Sequence, residues 1–421
     1  MIKPLIIVLA GGEGKHFKPF TINKTLVPFM GKPLIQHILE TVAEAGGEDV
    51  LIAANKENIN WIENYRNEKL TIRVKQQPEP LGMSDALLQL KVEIGATPII
   101  VLNAIDRIDS TIIRSVIEAS FSTKAMVVGL KRDTYFPGGY LQVDGNRAVS
   151  IVEKPVLGTE PSKYINIVCH YFQNPQALIS LIEQKPEGTD DRYEQALDSY
   201  MKQEFVNFVP YQGYWQKVKY PHHVLDMMNS FLTNGFLPNI ADTAVISPNA
   251  SITGPVIIDD GAIIQSGASI IGPTYIGKQV MVGSGALVRG SMIEEGTTIG
   301  FGTEVARSYI GPRCMLHHNF IGDSILEEGI NPSYGTCTAN LRIFDKKNIT
   351  LKLTDQKIDT NNEKLGAIIA KGVLFGVNCT ILPGITIGAN AHIYPGSIVH
   401  QPIPANATLK TYQEQKLVIE E

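Results

Sequence analysis

Two hydrophobic patterns divide the chain. Up to about residue 230, short aliphatic runs alternate with amphipathic stretches. Leu5–Leu9 and residues 50–53, 99–102 and 125–128 predict buried strands, whereas 33–46 and 110–120, apolar at i, i+3 and i+4, predict helices. Strands alternating with helices imply an α/β, Rossmann-like domain with a mostly parallel sheet covered on both faces. Such a sheet binds its ligand beyond the carboxyl ends of its strands. From about residue 243 the period changes. Ile246, Ile252, Ile258, Ile264, Ile270, Ile276, Val282 and Val288 recur every six residues. The step returns at Ile293, Ile299 and Val305, and again at Ile369, Phe375, Ile381, Ile387, Ile393 and Val399. Neither a helix nor a strand has this period. It predicts a left-handed parallel β-helix of the hexapeptide-repeat kind, one short strand per unit with the aliphatic residue inward.

Length and composition agree with two domains: 421 residues, 44% hydrophobic and 19% charged. The expected boundaries are 1–235 for the α/β domain, 243–405 for the β-helix and 406–421 for a polar tail. Thirty-seven basic against forty-two acidic residues give a net charge of −5, which excludes a basic nucleic-acid footprint and a polybasic membrane patch as main features. No apolar run reaches the ~18 residues of a membrane-spanning helix. The opening MIKPLIIVLAGG reads as a buried strand running into glycines and not as a signal peptide. Cys169, Cys314, Cys337 and Cys379 form no CxxC pair, so neither a disulfide framework nor a zinc site is expected, and a reducing cytoplasm is the expected compartment. The 37 glycines are unevenly spread, between one turn near the start and the corners of the six-residue repeat.

That early turn carries candidate chemistry. Leu9-Ala10-Gly11-Gly12-Glu13-Gly14 follows a strand, where backbone N–H groups can approach phosphates. With its continuation, LAGGEGKHFKPFTINKTLVPFMGKPLI, it resembles the opening of the sugar-1-phosphate nucleotidyltransferases. Leu81-Gly82, Val101-Leu102-Asn103, Glu153-Lys154-Pro155, Asn166 and Gly213-Tyr214-Trp215 follow in the family's order, so the resemblance covers about residues 3–230. It implies inline attack of a sugar phosphate on the α-phosphorus of a nucleoside triphosphate, catalysed by positioning and charge neutralisation. The binding residues it implies are Gly11, Gly12, Gly14, Lys24, Gly82, Glu153 and Asn166. Its loop arginine is replaced by His16, with Lys15 and Lys18 nearby. Its two Mg²⁺-binding aspartates fall on Ile105, unless Asp106 has slipped in, and on Lys217. Mg²⁺ takes oxygen ligands, and neither Ile105 nor a lysine ammonium supplies one. No metal set is therefore assigned beyond Asp106 as a candidate, and Mg²⁺ is expected only if this half is active. Lys217 could itself neutralise phosphate, as a point charge. Met83 stands where the family often has threonine, which leaves the base preference open.

In the repeat region, Gly322-Asp323-Ser324, Gly335-Thr336-Cys337-Thr338-Ala339-Asn340, Lys364-Leu365-Gly366-Ala367-Ile368-Ile369 and Gly376-Val377-Asn378 carry a second resemblance. They resemble the acetyltransferase domain of bifunctional glucosamine-1-phosphate acetyltransferase/uridylyltransferases, the fit being closest to archaeal bifunctional sugar-1-phosphate nucleotidyltransferase/acetyltransferases. The resemblance implies acetyl-CoA-dependent N-acetylation of an amino-sugar 1-phosphate in UDP-GlcNAc biosynthesis. Its histidine base falls on His317 by counting back from Gly322-Asp323 and on His318 by counting forward from Glu304-Val305; the first count is preferred. Asn331 and Asn340 match sugar-phosphate-contacting asparagines, and Lys346 and Lys364 match lysines near the phosphate. Phe320 replaces a tyrosine, Ala306 a basic residue, Asn362 and Glu363 common arginines, and Pro332-Ser333-Tyr334 the usual small residues. Residues 344–363 read as a polar, loop-like excursion. The implied partners are sugar phosphates, nucleotides and CoA, with no nucleic acid or membrane, and the implied assembly is a homotrimer. Two other readings stand beside this one: an active nucleotidyltransferase making NDP-sugars, and a non-catalytic sugar-nucleotide-binding regulator.

Overall fold

The computed structural model describes residues 3–189, 191–353, 356–412, 414 and 416–418. The chain falls into two compact units: the residues up to Glu13 with Leu34–Lys217, and Gly14–Pro33 with the chain from Val218 onward. The division is discontinuous, whereas the hydrophobic pattern suggests one boundary near residue 235.

In the first unit a nine-stranded sheet runs in the order Thr71–Gln76, Asp49–Ala54, Leu5–Leu9, Ile99–Asn103, Tyr164–Phe172, Ala125–Lys131, Val206–Tyr211, Arg147–Glu153, Gly139–Asp144. The first four strands are parallel. Leu5–Leu9 and Ile99–Asn103 are buried throughout, which is why they read as unbroken aliphatic runs without alternation. Beyond them the sheet is mixed. Tyr164–Phe172 is antiparallel to both neighbours, and the short link between Asp144 and Arg147 permits only an antiparallel hairpin. The two expected helices are Leu34–Glu44 and Ser110–Ala119, each burying one apolar stripe. Asp109 caps the second by accepting from the Thr111 N–H at 3.0 Å.

The second unit is built around a left-handed parallel β-helix of three faces, two carrying eight-stranded sheets and the third a five-stranded and a three-stranded sheet joined by the Asn331–Leu374 bridge. The inward residues from Ile258 to Val399 form one continuous core, with Ile246 and Ile252 packed against its end. Burying each such side chain contributes about 1.5–3 kcal/mol relative to exposure. The inward series also continues where a strict step of six loses it. Ile310, Leu316, Ile321 and Leu326 are all fully buried, because shortened corners bring some steps down to five. Pairing extends from Asn239–Ile240 to Thr408–Leu409, beyond 243–405 at both ends. The tail assigned to 406–421 is therefore partly the last coil, and residues 413, 415 and 419–421 lie outside the described residues. The excursion is also more ordered than a loop: Thr350–Leu353 pairs antiparallel with Gln356–Asp359, and Ile349 and Leu351 are buried. Among the described residues no helix is long and apolar enough to cross a membrane.

Side chains on one edge of the β-helix explain why Gly14–Pro33 belongs to this unit. Glu327 accepts from the Thr21 N–H at 3.0 Å, the Thr21 hydroxyl at 2.9 Å and the Ile22 N–H at 2.9 Å. Glu294 accepts from the Gly31 N–H at 3.0 Å, and Tyr309 donates to the Pro28 carbonyl at 2.7 Å. Phe29 stacks on Phe231 with ring centroids 5.3 Å apart.

Candidate active sites

In the first unit the glycine turn leaves the carboxyl end of Leu5–Leu9, beside the end of Ile99–Asn103. Two asparagines hold it: Asn55 Nδ2 donates to the Gly12 carbonyl at 3.0 Å, and Asn58 Nδ2 to that of Ala10 at 2.8 Å. A Cβ at Gly11 would stand 1.8 Å from Gln77 Oε1, so a side chain there would have to displace the Gln77 amide. Gln77 Nε2 donates to Asp85 Oδ2 at 2.6 Å and to the Gly82 carbonyl at 3.3 Å. Gly11 and Gly82 are thus brought together through a glutamine that no motif singled out. Its trace in the sequence is Gln77-Pro78, shortly before Leu81-Gly82.

The positions implied for the metal aspartates are brought side by side. Trp215–Lys217 pairs antiparallel with Asp106–Ile108, with Lys217 directly opposite Asp106. Asp106 is buried and accepts from Trp215 Nε1 at 3.1 Å. Asn166 lies on Tyr164–Phe172, where its Oδ1 contacts His170 Nε2 at 2.9 Å, and His170 Nδ1 contacts the Tyr193 hydroxyl at 2.7 Å. Burial pushes the His170 pKa down to about 3, so the ring is neutral. With the amide oxygen as acceptor, Nε2 carries the proton and Nδ1 accepts from Tyr193, which fixes the orientation of Asn166. Glu153 is half-buried beside the Lys154 ammonium at 3.4 Å.

In the second unit Gly14, at φ +69°, begins the segment carrying Lys15, His16 and Lys18, all exposed. Lys24 starts the short 3-10 turn Lys24–Leu26, capped by Asn23 Oδ1 accepting from the Thr25 N–H. On the β-helix the two histidines diverge. His318, at φ +54°, is exposed, its ring stacked between Tyr334 and Phe301 at centroid distances of 5.2 and 6.3 Å. His317 is half-buried, and among the described residues no side chain hydrogen-bonds its imidazole. On the next coil, Asn331 Oδ1 accepts from the Ser333 N–H at 3.0 Å. Asn340 Nδ2 donates to Asp323, whose carboxylate is gripped by Arg307 through two hydrogen bonds of 2.7 Å. This bidentate pairing raises the Arg307 pKa. Lys364 is exposed and bridges to Leu341, next to Asn340, whereas Lys346 is exposed within the excursion.

The nucleotidyl transferase family model matches residues 5–232, and the GMPPB C-terminal domain model matches 252–359. The bifunctional sugar-1-phosphate nucleotidylyltransferase/acetyltransferase of Sulfurisphaera tokodaii is 31% identical, covering 94% of this chain and 97% of its own. The chain belongs to the bifunctional sugar-1-phosphate nucleotidylyltransferase/acetyltransferase family. It is a transferase. The bifunctional protein GlmU of Methanocaldococcus jannaschii is 30% identical over 98% of each chain. A UDP-glucose pyrophosphorylase solved with UDP-glucose covers 55% of this chain and 98% of its own at a TM-score of 0.50 and 19% identity, which shows the fold of the first unit.

Against that family, this chain's residues at the metal positions do not fit Mg²⁺. Ile105 offers no oxygen, Lys217 places a cation opposite Asp106, and the Asp106 carboxylate is engaged by an indole N–H. Among the described residues no group of three or more His, Cys, Asp or Glu side chains could hold a metal.

Proposed function

We propose that the chain transfers the acetyl group of acetyl-CoA to the amine of an amino-sugar 1-phosphate of the glucosamine-1-phosphate class, with His317 as general base. The observation carrying this reading is the contrast between the histidines: the His318 ring lies in an aromatic stack, whereas the His317 imidazole is half-buried and engaged by no other side chain among the described residues. The His317 imidazole takes a proton from the acceptor ammonium, and the freed amine attacks the thioester carbonyl carbon. The tetrahedral intermediate gives up its remaining extra N–H proton to solvent and collapses with cleavage of the C–S bond, and the leaving thiolate recovers the first proton from the imidazolium. Asn331 and Asn340 would hold the acceptor, and Lys364, with Lys346, its phosphate. Exposed Met315, Leu374 and Ile398 support a homotrimer of the β-helix, and four unpaired cysteines support a cytoplasmic setting.

In the first unit the Gly11-Gly12 turn and Lys217 suit a phosphate, and the missing carboxylates support binding with little nucleotidyl transfer. A second reading, an active nucleotidyltransferase, is favoured by the family match over residues 5–232. One pair of assays separates them. Acetyl-CoA with glucosamine-1-phosphate is expected to release CoA thiol, and UTP with N-acetylglucosamine-1-phosphate and Mg²⁺ little pyrophosphate. Rapid pyrophosphate release establishes the second reading, and absence of thiol release with glucosamine- and galactosamine-1-phosphate alike removes the first.

A further inference from the structure

Asn319 stands between His317 and the coil that carries Asn331. It is 3% exposed, on a turn whose neighbouring residue His318 is exposed. Its side chain makes three hydrogen bonds. Oδ1 accepts from the His317 backbone N–H at 2.5 Å, and Nδ2 donates to the carbonyls of Ser333 at 2.7 Å and Thr336 at 3.0 Å. Its own N–H donates to the Thr303 hydroxyl at 3.3 Å. The residue therefore joins three successive coils. The loop it grips, 331–336, is fixed from the other side too: Ser333 Oγ donates to the Phe375 carbonyl at 2.7 Å, and the Asn378 N–H donates to the Tyr334 carbonyl at 2.8 Å.

We infer that Asn319 is the positioning residue of the acetyl-transfer site, setting the placement of the His317 imidazole relative to the Asn331 loop through the amide clamp. The inference rests on the reading of His317 as base. A turn residue facing water could be any small polar side chain. A buried amide with its acceptor spent on its own coil and both donors on the next instead fixes relative position, because each bond left unmade would leave a buried polar group unpaired. Asparagine alone supplies both functions at this length: aspartate keeps the acceptor toward His317 but sets a carboxylate against two carbonyls, and alanine removes all three bonds. General-base catalysis depends on the distance between the base and the proton it abstracts, and a misplacement of about 1 Å can cost ~10²-fold in rate.

The test is a double-mutant cycle on the full chain, read as kcat for CoA thiol release under saturating acetyl-CoA and glucosamine-1-phosphate. Asn319→Ala is expected to lower kcat by ~10²-fold in the wild-type background, with little change in the KM for acetyl-CoA. In the His317→Ala background the same substitution is expected to produce no further drop, because it acts only through the base. Equal losses in both backgrounds, or no loss in the wild type, overturn the positioning role. If His317→Ala itself retains full activity, the reading of His317 as base fails instead, so the two failures are distinguishable. Asn319→Asp, which keeps the side-chain volume, is carried through the same cycle and decides the matter if the alanine variant does not fold. With Asp, the loss in the wild-type background and its disappearance in the His317→Ala background are again the supporting result, and any other pattern overturns the inference.

Discussion

Replacing His317 by alanine is expected to lower kcat for acetyl transfer by ~10²–10⁴-fold, the usual contribution of a positioned general base. The loss should fall on kcat with little change in KM, because the imidazole meets the proton in transfer and is not placed to hold the sugar phosphate. Added imidazole should recover part of the rate in His317→Ala. His318→Ala should lose less. Its ring packs face to face between Phe301 and Tyr334, a contact worth about 0.5–1.5 kcal/mol of local packing. The decisive measurement is thiol release for both variants, with circular dichroism to establish that each is folded. Full loss in His318→Ala alone would move the register by one residue, and wild-type rates in both would remove the acetyltransferase reading.

The architecture was legible because both of its periods are strong. The strand Leu5–Leu9 coincides with its aliphatic run, since burial on both faces of a parallel strand demands one without interruption. The six-residue step survives because every coil places one residue per strand inside a narrow prism. It was lost between Val305 and Ile369 for a geometric reason: the corners there shorten, and a hairpin-bearing excursion interrupts the coil. The candidate metal positions were also legible in part. Motif spacing selected 105 or 106 and 217, and the antiparallel register sets 106 opposite 217. What sequence could not show were roles defined by burial. Asn319 in a His-His-Asn-Phe turn looks like a solvated corner residue, and only its buried amide bonds to Ser333 and Thr336 separate it from one. His170 and Tyr193, which orient Asn166, sit on different elements and share no motif. The local pattern places Gly14–Pro33 in the α/β domain because it carries no trace of Glu294, Tyr309 and Glu327, 263 to 306 residues further along the chain, which hold it to the β-helix.

Replacing Glu294 by glutamine is expected to make the fold less sensitive to alkaline pH. Glu294 is buried, and burial pushes its pKa from an ordinary 4.5 up to about 8, opposed by the backbone N–H groups of Gly31 and Met30. Among the described residues its Oε1 has no hydrogen-bond partner. Asp259 and Glu295 add like charge that raises it further, and burial also pushes up the Tyr275 and Tyr309 hydroxyls beside it. Below about 4.5 the carboxyl is protonated in both folded and unfolded chains, and this group makes no difference to the pH dependence. Between about 4.5 and about 8 the folded state holds a proton that the unfolded chain releases, so stability falls as pH rises, by about 1.4 kcal/mol per unit at full separation. Above about 8 both states are ionised and the loss is complete. Glutamine keeps an oxygen for the Gly31 N–H but cannot ionise, and it leaves an amide donor in the place of Oε1 at a cost of about 1–3 kcal/mol. The variant should therefore be no more stable than the wild type at pH 5 and should overtake it by pH 9. Chemical unfolding of both proteins across that range reads the difference directly. A stability difference that stays constant with pH would mean that Glu294 is ionised in the folded protein, and that its hold on Gly31 is an ordinary charged hydrogen bond.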